Sequence, residues 1–399
     1  MSDIINISNS AVQKFFKTDY LDLMQMPLNM TFPTWGLIKH ATDAVGDVQS
    51  HGVPFSDAGG FSSGKIGDSS DMDFQVTNYT LKQIYMIEAI DSKTINLSAR
   101  DEGAFERLVS YRVANMNKAL NRHMDRILFG DGTGALGTIT AVTTSGSDHT
   151  CTISAATWVR HRFRRRDLLN VQAIANGVYR VKSMDPANKK VVITQISGSY
   201  TPVVNDKLYI QEAKDNEPQG LEGVLDATTG SKYNITIGDS WQATQKTTSN
   251  KKLDIDYIAA GYLDTMDESN AAPNCLVVSK DQYRKLLVLA DGMKLLSYQN
   301  VASGQDVVLG NVPHLFMEGT KIPIVLDFMV PAGRAYLLNK DFIFERAAGK
   351  GEFVKGTEGF LHYEGVSSKN DRYSMIYRKY LEIFIPPTFH CVFSSLSTT

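Results

Sequence analysis

The sequence has little net charge, few cysteines and no long apolar run. Its 41 lysines and arginines nearly balance 43 aspartates and glutamates, which argues against a dedicated nucleic-acid-binding protein that relies on bulk positive charge. The best apolar stretch, residues 322–330, is too short to span a membrane and contains Asp327. The N-terminus lacks the basic and apolar regions of a secretory signal. We therefore expect a soluble protein made in the cytoplasm of its host.

The sequence contains no recognisable motif for metal binding, redox chemistry or nucleotide binding. Cys151, Cys275 and Cys391 lie more than a hundred residues apart, without any CxxC pair, and read as small buried apolar residues. The eight histidines form no metal-binding spacing, and no phosphate-binding P-loop is present. The sequence predicts no catalytic residue, no metal and no cofactor, and hence no enzyme.

Two glycine motifs match catalytic patterns in letters but not in context. Residues 132–137 read GTGALG, which fits the dinucleotide fingerprint GxGxxG, but they close a predicted helix instead of opening one. Residues 60–64 read GFSSG, without the strand and helix that a nucleophile elbow needs. We interpret Gly130, Gly132 and Gly134 as a structural turn at a helix end. A nucleotide-binding enzyme stays a remote alternative.

One long helix is the clearest predicted element. Apolar residues recur at three- and four-residue steps across 104–128, and neither proline nor glycine interrupts them. Ser98 and Asp101 resemble a capping box at its start.

The remaining segments are predicted from turn residues and alternation. Residues 72–76 and 81–90 read as a protruding two-stranded arm, which implies a partner surface because an isolated hairpin is marginal in water. Residues 250–348 are α/β in character, and the last fifty return to strand. Short strands with tight turns between predict a small inserted barrel, at 171–174, 178–184, 191–196 and 207–210.

Residues 160–166 hold five arginines around one phenylalanine. They could bind phosphate or an acidic partner, or form a solvated strand edge that deters sheet pairing. We expect a protein contact rather than DNA, with Asp167 and Asp185 of the same barrel, or Asp71 and Asp73 of a neighbouring copy, as the acidic partners.

The order of these elements resembles the Hong Kong 97-type major capsid protein of tailed bacteriophages. The resemblance is carried by SARDEGAF at 98–105, LFGDGTG at 128–134, GLEG at 220–223, PIV at 323–325 and PAGRAYLL at 331–338. It implies an α+β fold and a subunit that assembles into the icosahedral head around double-stranded DNA. The runner-up is an encapsulin-like nanocompartment shell, which has the same fold around protein cargo.

The resemblance also implies a domain plan and partners. The parts are an N-terminal arm at 1–60, an extended E-loop at 61–97, a peripheral (P) domain at 98–137, 218–269 and 349–399, an inserted barrel at 138–217 and an axial (A) domain at 270–348. The implied partners are other copies in hexamers and pentamers, a portal protein, a separate scaffolding protein and non-specifically packaged DNA, with room for a decoration protein. Candidate intersubunit contacts are Phe74, Val76, Tyr79, Tyr85, Lys93, Arg164, Arg165 and Arg166. No covalent cross-linking site is assigned to Lys82 or Lys93.

Overall fold

The computed structural model describes residues 33–55, 74–93, 102–238, 241–247, 250–297, 314–317, 320–354, 361–363 and 372–398. Its helices are α1 (Glu102–Leu128), α2 (Leu221–Leu225), α3 (Ile255–Ser269) and α4 (Lys280–Ser297). The first ten strands are β1 (Lys39–Ala41), β2 (Val48–Pro54), β3 (Phe74–Thr80), β4 (Lys82–Asp91), β5 (Ala135–Ser145), β6 (Asp148–Ile153), β7 (Leu168–Val171), β8 (Val178–Asp185), β9 (Lys190–Ser197) and β10 (Lys207–Ile210). The others are β11 (Ser231–Lys232), β12 (Ile235–Thr236), β13 (Thr244–Thr247), β14 (Cys275–Val278), β15 (His314–Met317), β16 (Thr320–Leu326), β17 (Ala335–Leu338), β18 (Phe344–Ala347), β19 (Glu352–Phe353), β20 (Leu361–Tyr363), β21 (Arg372–Phe384) and β22 (Cys391–Ser394).

The long helix forms where its apolar spacing predicts it. α1 ends at Leu128, and its inner face buries Met116, Met124 and Ile127. Its proposed capping residues, Ser98 and Asp101, lie outside the described residues. The helix therefore lies along a sheet with one apolar stripe inward, as its period requires.

The sheet under α1 is built on the long strand β21. β4 pairs with one edge of it, antiparallel, from Lys82↔Leu381 to Asp91↔Arg372. β18, β19 and β20 pair in succession along the other edge of β21, and β1 joins β18 in parallel. Ile90 and Met375 pack against Met116 between helix and sheet.

The predicted two-stranded arm was wrong in its pairing. Residues 74–80 pair with β2, from Val48↔Thr80 to Pro54↔Phe74, and not with the strand that follows them. That following strand, β4, belongs to the sheet under α1. Apolar and turn residues mark where a strand lies but do not say which strand it pairs with, and β21 is almost three hundred residues away in sequence.

The inserted barrel is present as a closed ring in the order β10-β5-β6-β9-β8-β7. Its interior is filled by fully buried side chains, among them Tyr179, Phe163 and Leu169. Its first and last strands, β5 and β10, are hydrogen-bonded neighbours, so the chain enters and leaves at one place. The strand expected at 171–174 was misplaced: the strand lies at Leu168–Val171, and a 3₁₀ turn occupies Ile174–Asn176.

The α/β part has a second sheet in the order β13-β22-β17-β14-β16-β15. Its central strand β14 is buried throughout and runs parallel to β16. α3 begins where predicted: the Asp254 carboxylate accepts a hydrogen bond from the Tyr257 amide at 2.8 Å. α4 is longer than the helix expected at 282–289.

Candidate functional site

The β2–β3 hairpin presents one face to solvent and packs the other against the body. Phe74 and Val76 are 57% and 51% exposed, and they share their face with exposed Val48 and Pro54. Alternation along both strands puts these four residues on one side. The face is apolar enough to be covered by another surface.

Tyr79 lies on the opposite face and is not an outward contact. It is 7% exposed, its ring stacks on Phe384 at 5.4 Å, and its hydroxyl hydrogen-bonds the His51 ring at 2.8 Å. Burial raises the pKa of Tyr79 to about 12. Its expected role between subunits is corrected, since it anchors the hairpin to its own chain.

Tyr85 lies on β4, separate from the hairpin. It is 50% exposed on the outer face of the sheet under α1, beside Ile87, which is 64% exposed. Sequence reasoning missed Ile87, although the two-residue spacing from Tyr85 was a signal for it. Lys93 is also exposed, just beyond the end of β4.

The arginine run does not form a single surface or a strand edge. Arg160–Arg162 is a 3₁₀ turn, and the Arg162 side chain is buried, donating to the Phe129 carbonyl at 3.0 Å. Phe163 points into the barrel and stacks on Trp158. Arg165 and Arg166 are exposed, whereas Arg164 is partly buried.

Of the two barrel carboxylates expected beside the run, Asp167 lies against it and Asp185 does not; Asp71 and Asp73 lie outside the described residues. The Asp167 carboxylate accepts a hydrogen bond from the Arg164 amide at 2.9 Å and lies 3.7 Å from the Arg122 guanidinium. Asp185 instead caps the turn before β9 through Ala187 and Asn188. Burial raises the pKa of Asp167, although the Arg122 charge lowers it.

Buried ion pairs join the barrel and its return segment to α1, and sequence reasoning missed them. Arg126 makes a two-pronged contact with Glu217, and both side chains are almost fully buried. Arg122 lies one turn earlier, next to Asp167. Burial lowers the pKa of Arg122 to about 10. Two arginines four residues apart, and so on one face of the last turns of the helix, were the available signal.

The glycines after α1 form a tight junction with the return segment. Gly132 and Gly134 have φ of 82° and 78°, which side chains resist. A Cβ on Gly134 would lie 2.5 Å from the Ala213 carbonyl oxygen. Gly130 donates its amide to Ile127 at 2.9 Å. The space that a dinucleotide phosphate would need at Gly134 is thus filled by this chain's own backbone.

Other motifs contribute no site among the described residues. GFSSG at 60–64 lies outside them. The three cysteines are buried and unpaired, the described residues contain no cluster of three metal-ligating side chains, and no described helix is long and apolar enough to cross a membrane.

Comparison with known proteins identifies the fold. No family model and no curated protein matches the sequence. Among solved structures, the capsid asymmetric unit of Cyanophage A-1(L) is 13% identical and aligns with a TM-score of 0.53, covering 92% of this chain and 94% of that chain. The capsid of the native GTA particle is 9% identical over 92% of this chain and 90% of that chain (TM-score 0.44), and that of Cyanophage P-SCSP1u is 10% identical over 90% and 86% (TM-score 0.43).

The first of these alignments gives the class. The chain has the α+β capsid fold of tailed phages, the Hong Kong 97 type, as its sequence resemblance predicted.

Proposed function

We propose that this chain is the major capsid protein of a tailed bacteriophage, whose copies form the icosahedral head around double-stranded DNA. The observation that carries the proposal is the alignment with the Cyanophage A-1(L) capsid, which spans nearly the whole of both chains. The glycine junction supports a structural role over a nucleotide-binding one, because protein backbone fills it.

Assembly proceeds by burying surfaces that one subunit leaves open. The outer face of the β2–β3 hairpin and the outer face of β4 each expose large apolar side chains, Phe74 and Val76 on one and Tyr85 and Ile87 on the other. In a shell of hexamers and pentamers a neighbouring copy covers such faces, and each contact is repeated at every equivalent position. Lys93 at the end of β4, and Arg165 and Arg166 on the barrel, are further exposed residues that a neighbouring copy would contact.

The domain plan is part of the proposal. The P domain comprises α1 and the sheet on β21, the A domain comprises α4 and the sheet on β14, and the barrel is an insertion after α1. The bounds differ from the predicted ones: α3, β13 and β22, from segments expected in the P domain, join the β14 sheet, whereas β18, expected in the A domain, joins the β21 sheet. The E-loop is reassigned to the β2–β3 hairpin, which takes β2 from the predicted N-terminal arm and leaves out β4, since β4 belongs to the P-domain sheet.

The implied partners are a portal protein, a separate scaffolding protein, a decoration protein and packaged DNA held by non-specific contacts. The protein is made in the bacterial cytoplasm and ends in the virion. A near-neutral chain suits an inner wall that holds DNA weakly.

Electron microscopy of the full-length protein tests the proposal. Expressed in bacteria and concentrated, it should form capsomers and closed shells in negative stain. A protein that stays monomeric at high concentration and retains bound NAD or ATP through purification would support the enzyme alternative. A scaffolding or portal gene next to this one distinguishes a phage head from an encapsulin-like shell.

A further inference from the structure

Two buried aspartates from different elements meet under the start of the described chain. Asp125 lies on α1 and Asp327 in the loop after β16, with exposures of 0% and 2%. We call them the aspartate pair. The Thr34 hydroxyl donates to Asp327 Oδ2 at 2.6 Å, and the Trp35 amide donates to Asp125 Oδ1 at 3.2 Å. The pair therefore holds the residues that directly follow the N-terminal segment 1–32.

The hydrogen-bond pattern indicates where a proton on the aspartate pair would reside. Asp327 accepts from Thr34 through Oδ2 and from the Met329 amide through Oδ1 at 2.9 Å. Asp125 Oδ2 is buried and has no donor among the described residues, while the two carboxyl groups lie close enough to hydrogen-bond each other. Two carboxylates cannot donate to one another, so a proton on Asp125 Oδ2 completes the arrangement.

The surroundings offer no cation in place of that proton. Among the described residues, no arginine, lysine or histidine donates a hydrogen bond to either carboxyl. The charged and titratable groups on the packed elements have other partners: Arg122 with Asp167, Arg126 with Glu217, His123 with Arg122, His161 with Phe328, and His40 with Glu345 and Trp35. Burial raises the pKa of both aspartates, and the Asp327 charge raises the pKa of Asp125 further.

We propose that the aspartate pair is a proton-operated latch on the N-terminal segment. With one proton shared, Thr34 and Trp35 are held on α1 and on the loop after β16. When the proton leaves, two adjacent carboxylates are buried without a compensating positive charge. Separation of residues 33–38 from the body admits water to both carboxylates and so lowers the electrostatic free energy with the smallest loss of structure. Rising pH then loosens the point where the N-terminal segment joins the fold, while the rest of the chain stays folded.

The sign and range of the effect follow from linkage. In the open state each aspartate has its ordinary pKa of about 3.8, whereas the closed state keeps a proton to higher pH. The opening constant therefore rises by up to about tenfold per pH unit from near pH 4, and levels off above the pKa of the closed pair.

Hydrogen exchange on the purified full-length chain tests the latch. The rate for a peptide covering residues 33–38 is measured across pH in the native protein and in Asp125→Asn, which keeps an acceptor for Trp35 and donates an amide proton to Asp327. The ratio of the two rates cancels the intrinsic pH dependence of exchange. We expect the ratio to rise with pH and then level off, while peptides from the barrel keep a constant ratio.

Two controls separate the latch from other titrations. Glu382→Gln removes another buried carboxyl and should leave the 33–38 exchange profile like that of the native protein. If Asp125→Asn does not fold, infrared spectra of the native protein with ¹³C-labelled aspartate decide instead, since a protonated aspartate band at neutral pH must vanish over the range in which 33–38 opens. A pH-independent ratio, the same change in all peptides, or no protonated aspartate at neutral pH would overturn the proposal.

Discussion

At the scale of single residues, Gly134 is a position in the helix-end junction where a side chain has no room. Its φ is 78°, and its missing Cβ would collide with the Ala213 carbonyl. Gly146 is a matched control, because its φ is 62° and nothing lies within 4 Å of its Cβ position. The two glycines thus separate backbone strain from collision.

We expect Gly146→Ala to lower the free energy of unfolding by about 1–2 kcal/mol, the cost of left-handed backbone alone. Gly134→Ala should lower the free energy of unfolding by clearly more, since the backbone at Ala213 in the helix-end junction must also move. Urea denaturation of both variants measures the difference. Equal losses would show that the junction yields without cost.

Glu382 predicts a pH dependence of stability. It is buried on β21, where its carboxyl accepts from the Gln219 amide at 2.7 Å, and burial raises its pKa to about 8 from an ordinary 4.5. Between these two values the folded chain keeps a proton that the unfolded chain has released. Stability therefore falls as pH rises from about 4.5 to about 8, and this contribution is constant above that range.

Glu382→Gln should remove a slope of up to about 1.4 kcal/mol per pH unit over that range. The measurement is urea denaturation at a series of pH values. Glu352→Gln, in an exposed ion pair with Arg378, is the control and should leave the slope unchanged. Parallel curves for the native protein and Glu382→Gln would contradict the expectation.

At the scale of elements, the parts predicted correctly are those with local signals. α1 has an uninterrupted apolar period, β14 is a short apolar run bounded by turn residues, and α3 has its cap in Asp254. The pairing of β4 with β21 and of β2 with β3 was not predictable, because it depends on contacts between distant segments.

The candidate site divides in the same way. The resemblance named Phe74 and Val76 as contacts, and both are exposed, but nothing local showed that Tyr79 packs on Phe384 or that Arg162 turns inward to a helix-end carbonyl. Buried partners such as Arg126 and Glu217 lie 91 residues apart, so only the assembled fold reveals them.

The Arg126–Glu217 pair predicts how firmly the return segment is held on α1. Removing Arg126 leaves the buried Glu217 carboxylate without a partner, so Arg126→Met should lower the free energy of unfolding by about 3–5 kcal/mol. Arg346→Met, which breaks a more exposed pair with Asp43, should cost about 0–1 kcal/mol. Chemical denaturation measures the free energy of unfolding of both variants. Similar decreases would show that the Glu217 carboxylate becomes hydrated when Arg126 is removed.

The hairpin predicts an assembly defect without a folding defect. Phe74→Ser with Val76→Ser removes exposed apolar surface, so the thermal transition of the unassembled subunit should stay within a few degrees, while closed shells are lost. Deleting residues 74–96 would not test this face by itself, because the deletion also removes β4 from the sheet under α1.

The matched control keeps the apolar character: Phe74→Leu with Val76→Ile should still form shells. Electron microscopy and sedimentation give the readout. Full-sized shells from the serine variant would show that this face makes no essential contact between subunits.

At the scale of the whole molecule, the exposed arginines of the barrel distinguish protein contact from DNA contact. Arg165→Ser with Arg166→Ser leaves the buried Arg162 bond to Phe129 intact, so the subunit should fold normally. If these residues meet acidic groups of a neighbouring protein, the melting temperature of empty shells should fall. Unchanged melting with loss of packaged DNA would point to phosphate contact instead.

Because β5 and β10 lie side by side, the barrel has a consequence for how genes of this type diversify. A coding cassette for the barrel begins and ends at one point in space, so recombination can exchange it without moving the flanking helix and sheets. Charge limits the exchange, since Arg122 and Arg126 need carboxylates such as Asp167 and Glu217 to cover them. Related chains without a barrel should therefore carry uncharged residues at these two helix positions, which a survey of such sequences would check.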